Sequence, residues 1–189
     1  MRVILINPPI DCVLENGNAS PVTSYLFYNS APLGLLYIAS TLEAAGHTVS
    51  AIDGAAEQLD VAKVTQRVVD FKPDVIGIGS FTVSFETTRR LAEKLKAALP
   101  DVPIVLGSYH VTLVPEDAMA DDSFDVGVLG EGEHTMLELV EYYEHGGDLS
   151  EIAGICYREA DGNLHFTPKR KKFKDLDPVS YTHLRAHET

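Results

Sequence analysis

Cysteine is scarce in this chain, basic residues are outnumbered, and no apolar run is long. Only Cys12 and Cys156 occur among 189 residues. Two distant thiols in an acidic chain exclude a disulfide framework. They also exclude an iron–sulfur cluster held by these residues, since such clusters take several thiolates. Fifteen Lys and Arg stand against 28 Asp and Glu, a formal net charge of −13. The one basic cluster is Lys169-Arg170-Lys171-Lys172. That balance argues against nucleic acid as a partner and for a soluble cytoplasmic protein. The most apolar stretch, Ala31 to Ala39, falls far short of the roughly 20 residues a membrane span needs. A single Arg2 and a short apolar run stopped by Asn7-Pro8-Pro9 do not make a signal peptide.

The chain is 45% hydrophobic and 23% charged, enough to bury a sizeable core as one domain. Short apolar runs alternate with amphipathic stretches. Arg2 to Ile6 reads as a buried parallel strand, closed by the two prolines. A long polar loop, Asp11 to Ser30, follows, and loops of that length are often functional. Pro32 opens a helix through Leu33, Leu36, Ile38 and Leu42, closed by Gly46. Further strands are expected at Thr48–Ile52, Asp74–Ile78, Pro103–Leu106 and Asp125–Leu129. Helices are expected at Val61–Phe71, Ser84–Leu99, Pro115–Ala120 and Glu133–His145. Five such units predict a doubly wound, flavodoxin/Rossmann-like α/β fold with parallel strand order 2-1-3-4-5. Gly154–Arg158 and Leu164–Thr167 flank Asp161-Gly162 and predict a C-terminal β-hairpin, read as a connector.

In such a sheet, ligands bind at the carboxyl ends of the strands. Three of those ends are rich in Gly, Ser and Thr: Gly79 to Ser84, Gly107 to Thr112 and Gly130 to Thr135. Glycine lets a ligand approach the backbone, and hydroxyls bond it without charge. Familiar phosphate motifs are missing. No G-x-G-x-x-G follows the first strand, and no G-x-x-x-x-G-K-[ST] loop occurs. Ser80 stands near where a phosphoacceptor Asp would end the third strand.

The ordered set of segments resembles one family. Met1 to Pro9, Pro32-Leu33-Gly34-Leu35-Leu36-Tyr37-Ile38-Ala39 and Ala45-Gly46-His47 are similar to the start of the cobalamin-binding domain that precedes radical S-adenosylmethionine domains. Pro73-Asp74-Val75-Ile76-Gly77-Ile78 ending in Ser80, Val105-Leu106-Gly107 with His110, and Gly130-Glu131-Gly132-Glu133 resemble its middle and last turn. Ile152 to Ile155, Asp161-Gly162 and Asp175-Leu176-Asp177 resemble the linker that follows. The likeness covers Met1 to Pro178.

The resemblance implies cobalamin across the carboxyl edge, its nucleotide tail beside the third and fourth strands. The cofactor-binding set it implies is Pro8, Leu33, Tyr37, Ser80, Phe81, Thr82, Val83, Gly107, Ser108, His110, Val111, Gly130, Glu131 and Gly132. Ser80 and Thr82 would meet the tail or a corrin amide, and Leu33 and Tyr37 the corrin. Gly107 and Ser108 would leave room for the tail; the family has a second glycine where Ser108 stands. The D-x-H-x-x-G motif that ligates cobalt in other corrinoid proteins is absent, and the first histidine is His47. His110 is the one nearby substitute for cobalt, against a plain hydrogen-bonding role. No catalytic residue is expected.

The implied organisation is a cobalamin domain over 1–147, a hairpin and linker over 148–177, and an unrelated tail over 178–189 that resembles a translated sequencing adapter. A radical S-adenosylmethionine domain, with its [4Fe-4S] cluster and C-x-x-x-C-x-x-C motif, would follow in the parent methyltransferase or cyclase. The fragment alone would then bind cofactor and catalyse nothing. The alternative is a Rossmann-like binding or regulatory module for another ligand. Cys12, Cys156, His134 and His145 carry no expected chemistry, and Lys169 to Lys172 is expected to be a solvated linker.

Overall fold

A computed structural model describes residues 1–10, 31–159 and 161–171. The expectations for the Asp11–Ser30 loop, Cys12, the 175–177 linker and the tail lie outside the described residues. Five strands run parallel: β1 (Arg2–Asn7), β2 (Thr48–Asp53), β3 (Val75–Gly79), β4 (Ile104–Gly107) and β5 (Val126–Val128). The helices are α1 (Leu33–Ala44), α2 (Val61–Phe71), α3 (Phe85–Ala98), α4 (Tyr109–Leu113), α5 (Pro115–Ala118) and α6 (Glu133–His145). The order β2-β1-β3-β4-β5 is the predicted one. It places the switch point between β1 and β3, where successive crossovers part to opposite faces and leave a crevice.

The continuous apolar runs have a simple cause. Side chains alternate across a strand, and both faces of this sheet are covered. Ile4, Ile6, Ile76, Ile78, Ile104 and Leu106 share one core with Val64 and Val68 of α2 and Leu91 and Leu95 of α3. Val3, Leu5, Val75, Val105 and Val126 share the other with Leu42 of α1 and Leu139 and Val140 of α6. Asp60 caps α2, its carboxylate accepting from Lys63 N–H at 2.7 Å.

Two expectations need correction. The hairpin is no separate connector. β6 (Ile155–Arg158) pairs antiparallel with β5, and β7 (Leu164–Phe166) with β6, making one sheet of seven strands. Ile155 and Cys156 are fully buried, one in each core. Gly127 makes the fit possible: a Cβ there would lie 2.7 Å from Cys156 Sγ and 2.8 Å from Val111 Cγ2. The second correction concerns Lys169 to Lys172, of which Arg170 is not solvated. Its side chain folds back onto α6, donating to Thr135 Oγ1 at 2.8 Å, to the Glu138 carboxylate and to Ala153 O. A guanidinium fork matches that carboxylate and holds the chain leaving β7 against α6.

Candidate functional site

The carboxyl ends of β3, β4 and β5 are laced by short polar contacts. Ser80 N–H donates to Gly107 O at 3.0 Å, and His110 N–H donates to Ser80 O at 3.2 Å. The Thr112 hydroxyl donates to Ser108 O at 2.8 Å and accepts from Gly130 N–H at 3.0 Å. Thr112 thereby ties the end of β4 to the turn after β5. The sequence reading missed this residue. Its signal was its spacing, four residues after Ser108, which on a helical turn returns a hydroxyl to that carbonyl.

Above this lacing the surface is apolar and open. Leu33, Phe81, Val83, Tyr109, Leu113 and Val114 are 41–70% exposed. Phe81 and Tyr109 stack with ring centroids 5.6 Å apart. A Cβ on Gly107 or Gly130 would meet nothing within 4 Å, and Gly130 has φ +90°. Large apolar side chains gathered at one exposed edge mark an interaction surface rather than a solvated one. The Phe81 turn continues into a 3₁₀ turn, Thr82–Ser84, where Ser84 Oγ accepts from Phe81 N–H at 3.2 Å.

The predicted residues divide on this geometry. Leu33, Phe81, Thr82, Val83, Gly107 and Gly130 are brought to the open surface, with Ser108 and Tyr37 half-buried beside it. Glu131 is exposed at the start of the turn into α6. Pro8 is buried. Four others, His110 among them, are held by contacts within the protein. The Ser80 hydroxyl is buried and bonded to Thr88 Oγ1 at 3.0 Å, turned away from the edge. Val111 is fully buried in the core beneath β4 and β5. Gly132 is needed for helix packing, since a Cβ would lie 3.0 Å from Ile38 Cδ1 of α1.

His110 lies on the short helix α4. Its ring lies tilted against Phe85 with centroids 3.9 Å apart, and Nδ1 faces Thr82 Oγ1 at 3.3 Å. Nε2 is buried, 3.4 Å from Asp117 Oδ2 without a hydrogen-bonding angle. Both ring nitrogens thus face protein groups. His47 is far from the site, its Nδ1 3.2 Å from the α-ammonium of Met1. No group of three or more His, Cys, Asp or Glu among the described residues is placed to hold a metal ion.

The fold recurs in known proteins. A structure of the cobalamin-dependent S-adenosylmethionine radical enzyme OxsB, with aqua-cobalamin and S-adenosylmethionine bound, superposes with a TM-score of 0.74 at 20% identity, over 90% of this chain and 22% of that one. The radical S-adenosylmethionine methyltransferase TsrM from Kitasatospora setae, with cobalamin and a [4Fe-4S] cluster bound, gives 0.71 at 19% identity, over 95% and 30%. In sequence, an uncharacterised methyltransferase of Pyrococcus horikoshii is 32% identical over 95% of this chain and 37% of its own length. The anaerobic magnesium-protoporphyrin IX monomethyl ester cyclase of Rubrivivax gelatinosus is 30% identical over 95% and 32%. The chain therefore spans about a third of the curated relatives it matches. The B12 binding domain family matches residues 20–140. The chain belongs to that family, and its cofactor is cobalamin.

Proposed function

We propose that this chain is the cofactor-holding domain of a larger radical S-adenosylmethionine enzyme, a methyltransferase or a cyclase. The observation that carries the reading is the carboxyl edge itself. It sets an exposed apolar surface of Leu33, Phe81, Val83 and Tyr109 around the open backbone at Gly107 and Gly130. These residues fit cobalamin. The apolar side chains would cover a corrin face and exclude water from it, and the glycines would admit the nucleotide tail. When bound, cobalamin supplies a cobalt centre able to carry a methyl group. The domain's own share is to position it.

The remaining two-thirds of the parent would bind S-adenosylmethionine and a [4Fe-4S] cluster, as the names of the structural neighbours indicate. This chain has too few cysteines for that cluster. Residues 1–147 form the cofactor domain in this reading, and 148–177 lead toward the downstream domain. Among the described residues, His110 turns Nδ1 to Thr82 and Nε2 to Asp117 and His47 lies at the amino edge, so a lower nitrogen ligand is not expected. The net charge of −13 suits a cytoplasmic enzyme without nucleic-acid partners, and no helix among the described residues is long and apolar enough to cross a membrane.

The test is a titration of the chain with hydroxocobalamin, read by visible absorption after gel filtration. Co-eluting corrin with a spectrum lacking a nitrogen base below cobalt is expected, and Gly107→Trp is expected to abolish it. Retained binding in Gly107→Trp would displace the site. A nitrogen-ligated spectrum lost in His110→Ala would overturn the ligation.

A further inference from the structure

Helix α6 starts at the carboxyl edge, after Gly132, and ends at the amino edge, where Glu144 lies 3.8 Å from the Met1 ammonium. A chain leaving the domain there would depart from the edge opposite the open apolar surface. The hairpin prevents this. β6 begins at the carboxyl end of β5, where Ile155 pairs with Val128, and runs back to Tyr157 opposite Val126. β7 reverses it again, and the pairing continues past Phe166. Thr167 N–H donates to Ile155 O at 3.0 Å, and Gly154 N–H donates to Pro168 O at 2.9 Å. Leu129 N–H, just beyond β5, donates to Gly154 O at 2.8 Å. The two reversals therefore return the chain to the carboxyl edge, beside the turn that follows β5.

Arg170 fastens it there. Ladder pairing ends at Pro168, and Lys169 and Lys171 are exposed, yet the Arg170 side chain is only 16% exposed. Nε donates to Thr135 Oγ1 at 2.8 Å, Nη1 to Glu138 Oε1 at 3.1 Å and Nη2 to Ala153 O at 3.2 Å. The Thr135 hydroxyl is buried and donates onward to Glu131 O at 3.4 Å. One guanidinium thus joins the turn after β5, the second turn of α6 and the joint before β6. A planar fork fixes direction as well as place, which an ammonium on a flexible stem does not.

We propose that Arg170 is a positioning residue for the rest of the parent enzyme. It sets the point and the direction from which the downstream chain departs, and registers both to the turn after β5. The downstream domain then starts at the edge that carries the apolar surface. A free pivot after Pro168 would spread that domain over many orientations and dilute it at this edge. The proposal rests on the reading of this chain as one domain of a larger enzyme. Arg170 touches neither cofactor nor reacting atoms; it acts through the chain it holds.

Spin labels at Lys171→Cys and Lys94→Cys, in a Cys12→Ser background, read the direction as a distance distribution by pulsed electron resonance. Cys156 is buried and stays unlabelled. Without ligand, a single narrow distribution is expected. Arg170→Ala should spread it by about 10 Å, the reach of a short flexible segment released after Pro168. Arg170→Lys keeps the charge, loses the fork, and should spread it nearly as far. Glu138→Ala should spread it less, because Thr135 and Ala153 still hold the guanidinium. Melting temperatures should fall by no more than about 3 °C, the shift for roughly a kilocalorie in a chain of this size. A distribution that stays narrow in Arg170→Ala overturns the proposal, since pairing through Pro168 would then suffice. A broad distribution in the wild type overturns it too. Broadening that comes only with a collapse in melting temperature, in all three variants, would make Arg170 a strut of the fold and overturn the positioning role. The measurement needs no cofactor, so its failure is distinct from a failure of the hydroxocobalamin titration.

Discussion

At the amino edge of the sheet, backbone ends meet charges. The Asp74 carboxylate accepts from Arg2 N–H at 2.6 Å, and Asp125 accepts from Ile104 N–H at 2.6 Å while pairing with Lys96 at 2.8 Å. The Arg2 guanidinium covers the carbonyls that end α2, Phe71 O and Lys72 O, and lies 4.4 Å over the Phe71 ring. The α-ammonium of Met1 meets His47 and, at 3.8 Å, Glu144. The carboxyl edge is built from the same strands by other means. Backbone amides and hydroxyls lace it below, and Leu33, Phe81, Val83, Tyr109 and Leu113 lie exposed above. One edge satisfies itself with charges; the other leaves an apolar surface open. Concavity alone would mislead here. A depression of about 530 Å³ lies at the amino edge, but Glu93, Lys96, Asp121 and Asp122 line it, a surface suited to water.

If the two edges divide stability from binding, substitutions should separate the two effects. The largest change is expected from Gly107→Trp, which should eliminate cobalamin binding and leave the melting temperature within a degree or so of wild type. Asp125→Ala should do the reverse. It leaves Ile104 N–H and Lys96 without their partner, and a loss of about 2 kcal/mol is expected in urea titration. Its affinity for hydroxocobalamin should stay within about twofold; a larger drop would mean the edges are coupled. Phe81→Ser comes next. Phe81 is 46% exposed, so its loss should barely move stability. Affinity should weaken about fivefold as apolar contact is removed. Unchanged affinity would take Phe81 out of the cofactor surface.

The smallest effect at neutral pH is expected between the edges, at Cys156. Burial pushes its thiol up from 9.0 to about 11. The folded state thus favours the protonated thiol more than the unfolded state does. That contribution is whole below pH 9.0 and is lost as pH rises through about 11. Urea titrations at neutral and strongly alkaline pH should therefore show a steeper decline in wild type than in Cys156→Ala. Equal slopes would place the thiol in contact with water and loosen the hairpin from the core.

Much of the parallel sheet was legible because its signals are local. A run such as Val3 to Ile6 needs only its own composition to read as a strand covered on both sides. Helix α6 was legible end to end, since Gly132 and Gly146 flank it and Leu139 and Val140 give it one buried face. The gathering of the glycine-rich strand ends on one edge was legible too, because parallel strands all point the same way. The individual contacts were not. Ser80 and Val111 read as ligand residues by position, yet strand and helix phase turned both inward. Gly132 read as a ligand gap, but Ile38, almost a hundred residues earlier, fills the space beside it.

The sequence by itself determined the order of the strands and the gathering of their glycine-rich ends, because each depends on residues adjacent in the chain. Tertiary structure alone decided that the hairpin extends the sheet beside β5 and that Arg170 returns to α6. Those outcomes depend on groups that meet only after the crossovers have closed. Nothing in the local pattern records which distant surface will be there.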